Sequence, residues 1–566
     1  MSENNEFDAI VVGSGASGGW AAKDLCEAGL KVLVLERGGK MTHQTGYITE
    51  HIKPWERSHT NGADYARRKQ EYGTYHNYVY DSNEHFFAKE KDAPYKTDTQ
   101  TPFIWVRPGT VGGKSNLWGR QVYRWSDLDF EANKNDGHGI DWPIRYKDIE
   151  PWYAKVEKYI GVQGSVENLP QLPDSIFTPA LDLNVAEKFV KGKIEKNFPE
   201  RNLIIGRSAN TTEARPEQGR TSCQLRNQCN TGCSFGGYYS AVSVSLPAAQ
   251  RTGNLSIRPN SVVASLEYDG EKQRVTGVKV IDSETKQEHI FRSKIVFLCA
   301  STIASTQILM NSRSKAAPKG LGGSSGALGH YLMDHTWGTR ISGNVPGFVG
   351  KIEKGRRPTG LYIPRFKNLK STPDKGAEFL RGYNFQGAAT TDGWGQRAGA
   401  TPGFGKKFKQ GVQTPGPWRI ALYGFAECLP YKDNKMTLDF DDLDPYGIPQ
   451  VVLNARFKDN EHKLVVDMIR EGEAMLKASG VTDIKSHMGD MLPGLAIHEM
   501  GTARMGHDPS NSVLNKWNQV HEAPNVFVTD GACMTSSSCV NPTLTFMALT
   551  ARAVDHAVKL LKQGNI

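Results

Sequence analysis

Residues 8–36 constrain the fold more than any other stretch of this 566-residue chain. Asp8–Val12 is a short apolar run of the kind that makes a buried parallel strand. Gly13-Ser14-Gly15-Ala16-Ser17-Gly18 follows at once, and Ala21, Ala22, Leu25 and Ala28 then recur at helical spacing up to Gly29, a helix stop. A second apolar strand, Val32–Leu35, ends on Glu36. Together they make a complete βαβ unit rather than an isolated glycine pattern. Gly13 permits the tight turn, Gly15 lets the backbone approach a pyrophosphate, and Gly18 lets helix and strand pack closely. The helix start offers N–H groups and a positive dipole end to phosphates. Glu36 can accept bonds from adenosine ribose hydroxyls and would repel a 2′-phosphate.

Size and charge narrow the rest. A chain of 566 residues is too long for one core, so two connected domains are expected. No run of eighteen apolar residues is present, so no membrane span is expected. The 69 basic residues are scattered against 60 acidic ones, which excludes a nucleic-acid partner. The start, MSENNEFDAIVVGSG, has neither a basic nor an apolar leader region, so the chain is expected to carry no export signal of its own.

Three further segments decide which nucleotide is bound. Arg107 to Gly119 contains Gly112-Gly113-Lys114-Ser115-Asn116-Leu117-Trp118, whose tight backbone and Ser115 can bind a polar ring edge or phosphate. Lys294–Cys299 predicts a buried strand, followed by Ala300 in a small-residue turn and a helix to Met310. Leu255–Leu266 and Gln273–Ile281 predict paired strands of a β-meander. The C-terminal strand 526–529 delivers Asp530-Gly531, and Asn541-Pro542-Thr543 opens an apolar helix to about Leu561.

Taken in order, these segments and His498-Glu499-Met500-Gly501-Thr502-Ala503-Arg504-Met505-Gly506 resemble the glucose–methanol–choline (GMC) oxidoreductases over nearly the whole chain. The resemblance implies an α/β fold: a discontinuous Rossmann-like FAD-binding domain (1–160, 200–330 and 491–566) and an α+β substrate domain with an antiparallel sheet (161–199 and 331–490). Met436–Asp439 and Asp444–Pro449 match a strand and turn of that second domain. It implies a cofactor set of Gly13, Gly15, Ser17, Gly18, Glu36, Arg37, Gly112, Gly113, Ser115, Asn116, Val263, Ala300, Asp530, Gly531, Asn541 and Thr543. Relatives that attach the flavin covalently carry a histidine where Leu117 stands before Trp118 here, so non-covalent FAD is expected.

Alcohol oxidation needs a base for the hydroxyl proton, and a neutral histidine suits it. Any one of 15 histidines has a low prior for that role, and a hydrogen-bonded core histidine is the plain alternative. In the family the residue matching His498 faces flavin N5, which assigns it as the base with Asn541 beside it. Asn541 also reads as a helix N-cap ahead of Pro542. Asn is common at this position in the sugar-oxidising branch, so a sugar or glycoside hydroxyl is the expected substrate. An O2-using pyranose or glycoside oxidase competes with a dehydrogenase, and a flavin-retaining lyase of hydroxynitrile lyase type is the reading from another class. Gly382–Gly387 and Trp394 could line a sugar-stacking surface, or serve only as strand packing.

Eight cysteines are present, three of them clustered as Cys223-x5-Cys229-x3-Cys233. Three is odd for disulfides and too few for zinc, and the spacing is not a ferredoxin pattern. Three thiolates suit a 3Fe–4S cluster, which some bacterial sugar dehydrogenases of the family carry; a purely structural loop is the equal alternative. A cluster would imply a cytochrome or quinone acceptor and a small signal-bearing subunit, and so export to the periplasm rather than a cytoplasmic site.

Overall fold

The computed structural model describes residues 6–53, 56, 62–353, 355–370 and 372–566. It opens with the expected unit: β1 (Glu6–Val12), α1 (Ala16–Glu27) and β2 (Val32–Leu35). The two strands run parallel, with Ala9 opposite Val32 and Val12 opposite Leu35. Their side chains alternate between two cores. Ile10, Val12, Leu33 and Leu35 face one, while Ala9, Val11, Val32 and Val34 face the other. A strand buried on both faces needs a continuous apolar run, and these residues supply it.

On the other side of β1 lies β3 (Glu288–Leu298), also parallel, with Val12 opposite Leu298. It passes through Ser301 into α2 (Thr302–Asn311). The expected meander differs in one respect. Leu255–Arg258 pairs parallel with β2, while Ser261–Asp269 and Arg274–Asp282 pair antiparallel and join β3. The break falls at Pro259-Asn260, where proline offers no N–H and Asn260 takes φ +55°.

The chain then builds a six-stranded antiparallel sheet in the order 482–487, 340–345, 418–426, 383–391, 361–363 and 204–205. Its centre is β4 (Tyr383–Thr391) against β5 (Trp418–Ala426), paired from Tyr383–Ala426 to Thr391–Trp418. Phe385, Ile420 and Leu422 pack with Leu464 and Met468 of the helix Asp459–Ala478. The period of two therefore turns Asn384, Gln386, Tyr423 and Phe425 to the opposite face. The expected strand and turn at 436–449 are present: Lys435–Leu443 pairs with Pro449–Asn454 in a small sheet that also takes in Tyr95–Thr97.

Finally the chain returns to the first sheet. Strand β6 (Ala523–Val528) lies parallel to β3, with Phe527 opposite Phe297, and α3 (Thr543–Lys562) lies against α1. Because β1, β2, β3 and β6 are parallel, Gly13, Glu36, Ala300 and Asp530 emerge at one edge, where open α/β sheets bind ligands.

Candidate active site

Backbone shapes the first half of the site. Gly13 takes φ +92°, and a Cβ there would lie 2.5 Å from the Cys299 carbonyl oxygen and 2.9 Å from the Ala300 Cα. A Cβ on Gly18 would lie 1.9 Å from the Gly13 carbonyl oxygen, so that turn tolerates only glycine. Helix α1 starts at Gly15 with no side-chain cap, and Ser17 is buried in its first turn. The Gly112-Gly113 loop meets this turn backbone to backbone, a Cβ on Gly113 lying 3.4 Å from the Gly15 Cα.

Ser14, which the sequence reading passed over, ties the two loops together. Its hydroxyl donates to Glu36 Oε2 (2.5 Å) and accepts from the Gly112 N–H (2.8 Å). Glu36 also accepts from the N–H groups of Ser14 and Gly38. A carboxylate has about four lone-pair sites, so one stays open to a ribose hydroxyl. Arg37 turns away, donating to the Asp92 carbonyl (2.6 Å) and lying 3.8 Å from Asp444. Ser115 donates to the Gly112 carbonyl and accepts from the Ala241 N–H. Asn116 is fully buried, and its Oδ1 has no partner among the described residues.

Val263 is buried in the strand Ser261–Asp269. Asp530 accepts from Ser305 Oγ and the Ala532 N–H, and burial pushes its carboxyl up to about 6. Gly531 accepts from the Gly501 N–H, and a Cβ there would lie 2.2 Å from Thr302 Oγ1. Thr543 is half-buried at the start of α3. An uncapped helix N-terminus, glycine turns that a side chain would fill and an orphaned buried acceptor on Asn116 fit an FAD.

Side chains shape the second half. Asp334, buried after Leu332-Met333, accepts the N–H groups of Gly494 (2.7 Å), Ala496 (3.2 Å) and His498 (3.0 Å). Burial, then the nearby Glu499, pushes its carboxyl up to about 7. This clamp holds Ile497 at φ +61°, a conformation that a β-branched residue adopts only under constraint. His498 is thereby aimed at Asn541, whose Nδ2 lies 3.2 Å from His498 Nε2. Burial, then His335 and Lys114, hold the His498 imidazole well below its ordinary pKa, so it is neutral.

Asn541 is not a helix cap. Pro542 occupies the capping position of α3 without any side-chain bond. The Asn541 carboxamide instead accepts from Gln386 Nε2 at 2.6 Å. Two further residues escaped the sequence reading. His335 is fully buried with its Nδ1 2.9 Å from His498 Nδ1, and Lys114 pairs with Glu499 at 2.6 Å. The signal for the first was an Asp-His pair interrupting an apolar run at Leu332-Met333.

The aromatic lining also moves from its expected place. Tyr383 and Phe385 are core residues of the second sheet, and the Trp394 side chain lies outside the described residues. Beside His498 stand Phe425, with its ring centre 5.9 Å away, then Trp337 at 4.8 Å from Phe425 and Tyr423 at 5.8 Å from Trp337. Trp337 and Tyr423 are half-buried.

The cysteine loop does not assemble the expected ligand set. Among the described residues, no group of three or more His, Cys, Asp or Glu side chains is placed to hold a metal ion. Cys223, Cys229 and Cys233 are free thiols at half-buried positions. Burial, then the neighbouring Cys229 and Cys233 thiols, push the Cys223 thiol up. The loop is pinned by its own polar contacts: Glu50 accepts from Arg226 and from the Ser234 N–H at 3.0 Å. No helix among the described residues is long and apolar enough to cross a membrane.

Comparison with known proteins agrees with this geometry. The chain is 30% identical to 2-methyl-1,2-propanediol dehydrogenase of Mycolicibacterium austroafricanum, over 98% of this chain and 95% of that protein. It is 28% identical to the fructose dehydrogenase large subunit of Gluconobacter japonicus, over 99% of both. Formate oxidase of Aspergillus oryzae shares the fold at a TM-score of 0.62 and 14% identity, over 100% of each chain. The GMC oxidoreductase family models match residues 7–337 and 430–550. A match that takes in both the nucleotide turn and the loop bearing His498 shows that the chain belongs to the GMC oxidoreductase family, flavin enzymes acting on CH–OH donors.

Proposed function

We propose that this chain oxidises a sugar or glycoside hydroxyl to a ketone, with His498 as base and an external electron acceptor. The observation that carries the reading is the 3.2 Å approach of Asn541 Nδ2 to His498 Nε2 at the edge of the cradle. A substrate hydroxyl placed between them donates its proton to Nε2 and accepts a bond from Nδ2. FAD, held by the residues above, supplies the hydride acceptor. Leu117 has no nucleophile, which supports non-covalent attachment. Gln386 keeps the Asn541 carboxamide turned so that its N–H faces the base.

A polyhydroxylated substrate is supported by Trp337, Tyr423 and Phe425, a ring surface suited to the apolar face of a sugar. The names of fructose dehydrogenase, paromamine 6′-oxidase and C-glycoside 3-oxidase among the relatives point the same way. We further propose the two-domain division 1–160, 200–330 and 491–566 against 161–199 and 331–490. The pairing of Ile204–Ile205 with Leu361–Ile363 supports placing that one short strand with the substrate domain instead. The relatives named as a large subunit and as a gluconate 2-dehydrogenase flavoprotein support a smaller signal-bearing partner and a cytochrome or quinone acceptor. Such a partner would carry the chain to the periplasm.

The test is an anaerobic flavin-reduction screen against glucose, fructose, glucosides, gluconate, choline, aryl alcohols and 2-methyl-1,2-propanediol. Flavin bleaching by a sugar or glycoside is the expected result, and it excludes a lyase. Bleaching by the other alcohols alone would overturn the substrate class. Under air, reduction of ferricyanide without peroxide distinguishes the dehydrogenase from an oxidase.

A further inference from the structure

We infer that His335 is a positioning residue that fixes the tautomer of His498, leaving the Nε2 lone pair turned to the substrate; this rests on the reading of His498 as the base. The Ser537 carbonyl lies 3.2 Å from His335 Nε2, so that nitrogen carries the N–H. A neutral imidazole has one N–H, which makes His335 Nδ1 an acceptor. His498 Nδ1, 2.9 Å away, must then be the donor, and His498 Nε2 is left with its lone pair.

The opposite end of the chain reaches the same answer independently. Asn541 Oδ1 accepts from Gln386 Nε2 at 2.6 Å, which assigns the amide orientation and turns Nδ2 toward His498 Nε2. An NH2 group only donates, so His498 Nε2 must accept. The alternative tautomer would set two donors against each other at His498 Nε2 and two acceptors against each other at His498 Nδ1.

The surroundings hold His335 in its single-proton form. The ring is fully buried, with Phe425 edge-on at 6.4 Å, and burial pushes its pKa down to about 4. The Ser537 carbonyl is itself held, because Ser537 Oγ accepts from the Cys428 N–H and donates to the Cys428 carbonyl at 2.9 Å. A backbone carbonyl thus decides, two rings away, which nitrogen of His498 is basic. Once Nε2 takes the substrate proton, the Nδ1–H bond to His335 becomes charge-assisted and stabilises the imidazolium.

The experiment uses flavin-loaded enzyme labelled with 15N-histidine, with the His498 signals assigned by their loss in His498→Gln. NMR reads which His498 nitrogen is protonated, and anaerobic stopped flow reads flavin reduction. His335→Phe keeps the ring volume and removes the acceptor, while His335→Asn restores an oxygen near the Nδ1 position. The wild type is expected to show Nδ1–H on His498. In His335→Phe that tautomer is lost, and reduction at saturating substrate slows by at least about tenfold with little change in half-saturation. His335→Asn regains the tautomer and most of the rate. A wild-type His498 protonated at Nε2, or a tautomer unmoved in His335→Phe, overturns the inference. A tautomer that moves while the reduction rate stays normal upholds the hydrogen-bond chain and overturns His498 as the base. If His335→Phe does not fold, His335→Asn with an unaltered tautomer and the wild-type spectrum still decide the question.

Discussion

The cradle at the strand ends and the pocket around His498 solve the same problem, placing a reactive atom, by opposite means. Around Gly13, Gly18, Gly112 and Gly531 the working groups are backbone N–H and carbonyl, and side chains are excluded by contacts as short as 1.9 Å. Around His498 the backbone is itself held by a side chain, the Asp334 carboxylate with its three N–H donors, and the orienting atoms belong to His335, Gln386 and Asn541. A backbone site tolerates no added atom. A side-chain site tolerates substitution but loses orientation, so damage to the two should separate cofactor binding from turnover.

The largest effect is expected at Gly18. Gly18→Ala must move the Gly13 carbonyl, and overpacking of this kind costs about 1–3 kcal/mol or more. The purified variant should be destabilised and nearly free of flavin, as read by visible absorbance and thermal unfolding. Gly15→Ala sharpens the point. Its nearest foreign atom lies 4.0 Å away, so the fold should survive while the methyl blocks a phosphate. A Gly15→Ala protein that keeps its flavin would show that phosphates do not approach there. Next comes His498→Ala, which should retain the flavin spectrum and lose at least about 10²-fold in anaerobic flavin reduction. Flavin loss in that variant would erase the contrast between the regions.

That contrast also explains what could be read from the sequence. Gly13, Gly15, Gly18 and Glu36 fall within 24 residues because a backbone turn is a local object, so its steric demand is written as a short pattern. The partners of His498 come from residues 334–335, 386 and 541, on elements far apart in the chain. Nothing local marks Gln386, and the Asp334-His335 pair after Leu332-Met333 is only a weak mark, since a buried histidine and a strand glutamine have many ordinary uses. Asn541 shows the opposite error. Its position before Pro542 is a good cap signal, yet the tertiary demand of Gln386 and His498 overrides the local preference. The aromatic run at Tyr383 and Phe385 likewise belongs to strand packing, because the period of two sends those rings to the core and Gln386 to the site.

pH offers a third way to separate the regions. His335 is pushed down to about 4 by burial, from an ordinary value near 6.5. A depressed histidine contributes stability that is present above the unfolded pKa and lost as pH falls through the folded one. Unfolding stability should therefore decline between about pH 6.5 and pH 4, with His335 accounting for about 3 kcal/mol. Asp334, raised to about 7, works the other way: its contribution is present at low pH and is lost as pH rises toward 7. His335→Phe should make the acid limb shallower, leaving the part that the depressed His498 contributes, and Asp334→Asn should flatten the opposing slope. Chemical denaturation across this range checks both, and an acid limb unchanged in His335→Phe would mean the buried ring is already charged.

The smallest effect is expected at Gln386, where only orientation is at stake. Its Nε2–H holds Asn541 Oδ1, and neither atom belongs to the cradle or to the proton-accepting nitrogen. Gln386→Leu removes one neutral hydrogen bond, worth about 1 kcal/mol, and frees the carboxamide to rotate. Rotation turns Oδ1 toward His498 Nε2 for part of the time, so two acceptors then compete for the one substrate proton. Flavin content and the wild-type spectrum should be unchanged. The rate of flavin reduction should fall about fivefold, in line with a change of about 1 kcal/mol. Gln386→Glu makes the sharper comparison. A carboxylate cannot donate to Asn541 Oδ1 and would instead attract Nδ2, turning the amide fully over, so its loss should exceed that of Gln386→Leu. If both substitutions leave the rate untouched, Asn541 is oriented by something other than Gln386, and the pocket is held by backbone after all.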